Sequence, residues 1–218
     1  MVARALPICQ IVAMPKAKGT KSSGHAEKRA SLLRAFRGRL TARNLPPPSL
    51  RELAASAGVT MPTVRHYFGR REELIIAVME DFRDVGEAHL QQARQAEGDF
   101  ATSIDWLVRA IMLGLSMRVS ELHAMGLREG LRHDRLGPAY LLQILEPTIL
   151  AIEARLLQHQ EREQMRPSDV RTAAIGLLSP LVIAYFHQNE LGGTETRPLD
   201  MGAFLTEHIN AFVRAYRT

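Results

Sequence analysis

From about His25 onward, hydrophobic residues return every three or four positions, the spacing that gathers them on one face of a helix. Leu32, Leu33, Phe36 and Leu40 share such a face, and Arg34, Arg37 and Arg39 fall largely on the others. Asn44 then suits the left-handed residue at a helix end, and Pro46-Pro47-Pro48 forbids continuation. The same period predicts further helices over about 50–56, 61–67, 71–95, 100–118, 121–132, 138–163, 168–189 and 199–216. The breaks between them carry punctuation: Gly58, Gly69, Gly98-Asp99, Gly137-Pro138, Pro167-Ser168 and the stretch from Gly192-Gly193 to Pro198. Pro147 and Pro180 fall inside apolar helical patterns, where each removes a backbone donor and kinks the helix or starts a new one. With no alternating Val/Ile/Thr-rich segment to compete as a strand, the pattern predicts an all-α fold.

Two of the short helices stand at a telling distance. Ser49-Leu50-Arg51-Glu52 has the form of a capping box, in which the Ser49 hydroxyl accepts from the Glu52 N–H while the Glu52 carboxylate reaches back to the Ser49 N–H. Leu50, Leu53 and Ala54 then form an inward face, Gly58 supplies the positive φ of a tight turn, Val59 plugs the corner and Thr60 caps the next helix. Val64 and Phe68 lie at i and i+4 for the core, which leaves Met61, Pro62, Thr63, Arg65, His66 and Tyr67 to point elsewhere. An ordinary helical bundle accommodates two such helices as well. The polar, donor-rich second helix favours a helix-turn-helix that reads DNA, with Arg51 on the first helix as a further contact.

Charge sharpens that reading. The net charge of the 218 residues is +5. Residues 1–83 hold 15 Lys/Arg against 6 Asp/Glu, a net +9, and residues 84–218 hold 13 against 17, a net −4. A basic head on an acidic body is the distribution expected of a nucleic-acid binder, because Lys/Arg neutralising phosphates supply the sequence-independent affinity. A basic disordered tail accounts for Lys16 to Lys28 equally well, but not for the arginines beyond it. Residues 1–24 mix Pro, Gly, Ser and Lys without apolar periodicity and are expected to form a flexible basic arm, with Met14 an alternative start.

Cys9 is the only cysteine, which rules out an intrachain disulfide and a multi-cysteine zinc site and fits a reducing, cytoplasmic setting. The apolar character of residues 1–14 is broken by Arg4, Pro7 and Gln10, and no run reaches the ~18 uninterrupted apolar residues of a membrane span, so neither secretion nor membrane insertion is expected. Neither a metal site nor a cofactor motif stands out.

The run from Ser49 through Gly58-Val59-Thr60, Val64-Arg65-His66-Tyr67-Phe68-Gly69 and on to Leu74 resembles the DNA-binding signature of the TetR/AcrR (tetracycline-repressor) family, over about residues 28–82. The resemblance implies homodimeric repressors with a three-helix head, a connecting fourth helix and a variable ligand-binding body. The expected organisation is an arm over 1–24, a helix-turn-helix DNA-binding domain over 25–70, and a larger helical ligand-binding and dimerisation body over 71–218. By position, Thr60, Met61, Thr63, Arg65, His66 and Tyr67 fall on the recognition helix or its cap, and Arg71 falls where the family places a phosphate-contacting lysine. Three departures are visible: Arg65 replaces a common aromatic, Arg70 the usual Ser/Asn cap, and the triple proline tightens the first loop. Arg65 reads a guanine edge or holds a phosphate; the residues do not choose.

In the body, Leu74, Val78, Phe82 and Val85 form a stripe expected to pack on the first helix. Broad apolar arcs on the last two helices, including Ile175, Leu178, Leu181, Tyr185, Phe204 and Phe212, point to a helix-on-helix homodimer, which would present two heads to a palindromic site. Trp106, Met112, Met117, His123, Met125, Tyr140 and Phe186 are candidates to line a small-molecule pocket, although residues at such spacing are more often plain core. The leading expectation is therefore a sequence-specific repressor, not an enzyme, that leaves double-stranded DNA when a small ligand binds. Two alternatives remain at this level. One is a sequence-indifferent architectural DNA binder. The other is a helical di-iron enzyme, which would need paired Glu-x-x-His motifs, whereas Glu129 lies four residues from His133 and Glu207 adjoins His208.

Overall fold

The structure, a computed structural model, describes residues 20–218. The expected arm lies outside the described residues apart from its last five, which open the first helix: α1 runs Thr20–Leu40, five residues longer than its apolar pattern predicts. It is followed by α2 (Leu50–Ser56), α3 (Met61–Phe68), α4 (Arg71–Arg94), α5 (Phe100–Gly114), α6 (Ser120–Gly130), α7 (Leu136–Tyr140), α8 (Glu146–Glu161), α9 (Val170–Tyr185), the short α10 (Gly193–Thr196) and α11 (Met201–Tyr216). No named strand forms among the described residues; a single bridge pairs Met165 with Arg217. The all-α expectation holds.

Local chemistry sets most helix starts. Asp99, Asp169 and Asp200 accept from the first-turn N–H groups of α5, α9 and α11. Three π-helical turns form, at Leu115–Val119, Leu141–Leu145 and Phe186–Glu190; the first covers the expected break after 118, the third closes the helix expected over 168–189, and only the second interrupts a helix that the pattern reads as single, 138–163. The second runs directly into α8, whose first turn carries Pro147, where its missing donor is harmless. Pro180 is carried inside α9. In the first, Met117 and Arg118 leave helical geometry altogether, Arg118 with φ 75°, so α5 and α6 are separate rods. The short α10 was not expected.

Two hydrophobic cores result, and the seam between them does not fall at residue 70. The first joins α1–α4 to α6 and α7: Leu33, Phe36, Leu53, Val64, Phe68, Leu74 and Val78 pack with Leu122, Met125, Leu136 and Tyr140. The second unites α5, α8, α9 and α11 through Ile104, Leu107, Ile152, Leu156, Leu177, Leu181 and Phe212. Leu145, in the π-turn before α8, packs against both. Leu74 and Val78 are buried as expected and Phe82 is partly buried, but Val85 is 66% exposed and lies off the packed stripe. Phe100–Gly130 and Val170–Glu190 are long and apolar enough to cross a bilayer by length and composition. Here their Ile104, Leu107, Leu177 and Leu181 are buried in the second core instead.

The far end of α4 is held by α8. Arg155, 2% exposed, donates to the carbonyls of Gln92 (3.1 Å) and Ala93 (2.7 Å) and to the Ser103 hydroxyl (2.7 Å), with its guanidinium 4.8 Å from the Trp106 ring centroid. Burial pushes its pKa down to about 10, so it stays a cation, placed against the negative end of the α4 dipole. Gln158 and Arg162 bond the carbonyls of Arg94 and Ala96.

Candidate nucleic-acid interface

The second helix of the head is capped by short-range bonds. Ser49 N–H donates to Glu52 Oε2 (2.8 Å) and Glu52 N–H to Ser49 Oγ (3.3 Å), closing the capping box. Those bonds, chiefly from Ser49 and secondarily from Arg39 at 3.3 Å, hold the Glu52 carboxyl below its ordinary range. Gly58 turns with φ 62°, Val59 packs partly buried into the corner, and Thr60 Oγ1 accepts from Thr63 N–H (3.4 Å). Val64 and Phe68 are buried, Phe68 edge-on to Phe36 at 5.5 Å. The scaffold is therefore as the sequence implies.

Its outer face is less uniform. Pro62, Arg65 and His66 are exposed, and so is Arg51 on α2. Neither arginine side chain has a hydrogen-bond or ion-pair partner among the described residues. Thr63 is half-buried, its hydroxyl 3.0 Å from that of Thr60. Met61 and Tyr67 do not simply point away: both pack partly against the first core. Tyr67 also stacks on His25 of α1, ring centroids 4.6 Å apart, and His66 stands edge-on to both rings. These three aromatics form one polar-edged patch beside Arg65. His25 is a candidate that sequence reasoning missed, since nothing in its spacing marks a partner 42 residues away.

Arg71 is engaged differently from the other candidates. The resemblance places it on a phosphate, but its guanidinium turns inward. Nη1 and Nη2 donate to Glu129 Oε2 and Oε1 (2.9 and 2.8 Å), and Nε donates to the Pro48 carbonyl (2.8 Å). The Glu129 side chain is 2% exposed. Its signal in the sequence is a carboxylate on the same helical face as Leu122 and Met125, a place where an acid needs a cation. Its neighbour Arg70 is exposed and its guanidinium has no partner among the described residues; only its backbone N–H is engaged, by Glu73 Oε2 (2.6 Å). Arg65, Gly69, Arg70, Leu50 and part of Arg71 surround an open cleft of about 510 Å³.

Further bonds cross from the head to α6 and its surroundings. Arg128 donates to the Leu40 carbonyl (2.8 Å), and Arg43 pairs with Glu190 (2.8 Å), which also accepts from the Ser120 hydroxyl (2.8 Å). Within the first core, His123 Nδ1 and the Tyr140 hydroxyl share a hydrogen bond of 2.8 Å. Burial lowers the His123 pKa to about 4 and raises that of Tyr140 to about 12, so both stay neutral. The Tyr140 ring fills the space a β-carbon at Gly126 would take.

The seven candidate ligand-lining residues do not converge. Met125 and Tyr140 are packed in the first core beside the buried His123, Met112 leans on the second core, and Trp106 carries Arg155. Met117 is 69% exposed in a π-turn and Phe186 opens another. For Met112, His123, Met125 and Tyr140 the helical spacing marks packing. Among the dimer candidates, Leu178, Leu181 and Phe212 are buried inside the protomer and Phe204 is partly buried against the same core. Ile175 is exposed and Tyr185 half-exposed.

Neither a protein-family model nor a curated protein sequence matches the chain. Solved structures do. One is a protein described as a TetR-family transcriptional regulator from Mesorhizobium loti (TM-score 0.67, 18% identity), matched over 89% of this chain and 98% of that one. A second, described likewise, from Rhodococcus sp., matches with TM-score 0.68 and 14% identity over 86% and 99% of the two chains. Salmonella enterica GusR matches with TM-score 0.65 and 18% identity over 86% and 96%. At these identities the likeness concerns the fold: the chain has the all-helical fold of TetR-family regulators, helix-turn-helix head and helical body together.

Proposed function

We infer that this chain is a sequence-specific transcriptional regulator that binds double-stranded DNA through α2 and α3, and that it is a binding protein rather than an enzyme. The observation that carries the reading is the outer face of α3. Arg65 and His66 are exposed there on a helix whose inner face, Val64 and Phe68, is fixed in a core, in the half of the chain that holds the net positive charge. A rigid helix with exposed donors is what major-groove reading requires. Arg51, Thr60, Met61, Pro62, Thr63 and Tyr67 frame the same face.

The acting form in this reading is a cytoplasmic homodimer on a palindromic operator, working as a repressor that a small molecule releases. Its support is the exposed stripe Ile175, Gly176, Ser179 and Ile183 on α9, apolar and small enough for close helix contact. The support for ligand control is the seam, where Ser120, Arg128 and Glu129 of α6 are all bonded to the head or to what the head contacts. A ligand that favours one position of α6 over another thereby biases the head, by no more than its difference in affinity for the two positions. Challenging a bound pool of labelled duplexes with excess unlabelled random DNA tests the core of the reading. A retained subset is expected. Uniform displacement would favour a sequence-indifferent binder.

A further inference from the structure

We propose that Arg70, not Arg71, grips the DNA backbone, and that Arg71 is a positioning residue that holds the helix-turn-helix against α6. The assignment rests on the DNA-binding reading above. It starts from two adjacent arginines at the head of one helix with opposite surroundings. Three guanidinium nitrogens of Arg71 already donate to fixed acceptors, two on Glu129 and one on the Pro48 carbonyl. A phosphate that drew Arg71 away would strand the Glu129 carboxylate, whose side chain is 2% exposed and has no other partner among the described residues. An uncompensated buried charge opposes that exchange strongly.

Arg70 has no such commitment. Its side chain is exposed without a partner, and it flanks the 510 Å³ cleft together with Arg65 of the recognition helix. Gly69, at φ 76°, provides the sharp turn between α3 and α4 that brings the two side chains to one opening. Two unpaired guanidinium groups beside a recognition helix suit a backbone phosphate, the contact that sets register without reading sequence. Arg71 does different work: through one planar group it joins the loop before α2, the start of α4 and the buried face of α6, so it fixes the angle at which α3 is presented.

The test is the salt dependence of affinity, measured between roughly 50 and 200 mM salt, with the full chain on a duplex selected from random sequence and on an unselected duplex. Each lost phosphate contact lowers the slope of log affinity against log salt by about 0.9. Arg70→Ala is expected to lower the slope by about that amount per protomer and to weaken both duplexes alike. The paired change Arg71→Leu with Glu129→Leu removes both charges, so none is left stranded. It is expected to keep the wild-type slope while narrowing the ratio of selected to unselected affinity. Should the pair not fold, Arg71→Lys serves: a positioning role narrows the ratio, whereas a phosphate contact keeps ratio and slope, since lysine binds phosphate as a point charge. A slope lowered by the paired change and untouched by Arg70→Ala overturns the assignment, as does an unchanged ratio in Arg71→Lys. If the wild-type chain binds no duplex in a salt-dependent way, the DNA-binding reading itself falls and takes the assignment with it.

Discussion

Arg65 projects from the middle of α3 and is exposed, between the buried Val64 and the aromatic patch of His25, His66 and Tyr67. Arg65→Ala is expected to weaken binding to a selected duplex by roughly 5- to 150-fold if the guanidinium reads a guanine edge. Dimerisation should be untouched. Footprinting that shows unchanged protection would remove Arg65 from the interface. His123 gives a pH dependence at the same scale. Folded, it stays neutral down to about pH 4; unfolded, it takes a proton near its ordinary 6.5. Protons therefore bind the unfolded chain first as pH falls, and stability declines from about pH 6.5 to pH 4, by up to about 3 kcal/mol from this residue. His159, also buried with its pKa lowered by burial, acts in the same direction. Urea melts at pH 7.5 and 5 should show the loss, and His123→Gln should reduce it; an equal loss in that variant would mean the proton binds elsewhere. At this scale the local contacts were legible. Ser49 with Glu52, and Thr60 with Thr63, act across three residues, and the pattern contains both partners. Arg71 with Glu129 and Tyr67 with His25 act across 58 and 42 residues, where spacing carries no information.

The helices were legible wherever an amphipathic stripe ended on a cap or a proline, as α2, α3 and α4 show to within a residue or so. The π-turns were not. At Leu141–Leu145 the apolar period continues through the irregularity, because a single added residue per turn rotates the stripe without erasing it. Buried polar anchors were equally hidden. Arg155 sits on α8 among Ile152 and Leu156, and only the fold brings it to the last carbonyls of α4. Its replacement by leucine leaves those carbonyls and the Ser103 hydroxyl without their donor. Arg155→Leu is expected to destabilise the chain by about 2–4 kcal/mol, seen as an earlier midpoint in urea denaturation. An unchanged midpoint would mean that Gln158 and Arg162 suffice to hold the end of α4.

Over the whole molecule, two cores meet at Leu145, and α3 shares its core with α6 and α7. The sequence boundary at residue 70 marks the end of a motif, not of a packing unit. That arrangement also accounts for the spacing of several candidate ligand and dimer residues. Met125, Tyr140, Leu178, Leu181 and Phe212 are apolar at helical spacing because the protomer buries them, and periodicity does not separate an internal neighbour from a partner chain. Surface position does: Ile183 of α9 is 66% exposed, on the same helix face as Ile175 and Ser179. Ile183→Glu is expected to shift the chain from dimer to monomer in sedimentation analysis and to weaken DNA binding with it. A dimer that survives the change would place the interface elsewhere.

If α3, carried on a two-fold dimer, reads a defined sequence, the chain itself can retrieve that sequence from a mixture. Selection of binding sites from a pool of random duplexes, followed by sequencing of what the chain retains, tests it most directly. Enrichment of a palindrome whose half-sites lie about one helical turn or a multiple of it apart is expected. Recovery of sequences with no common element, at affinities equal to the starting pool, would contradict it.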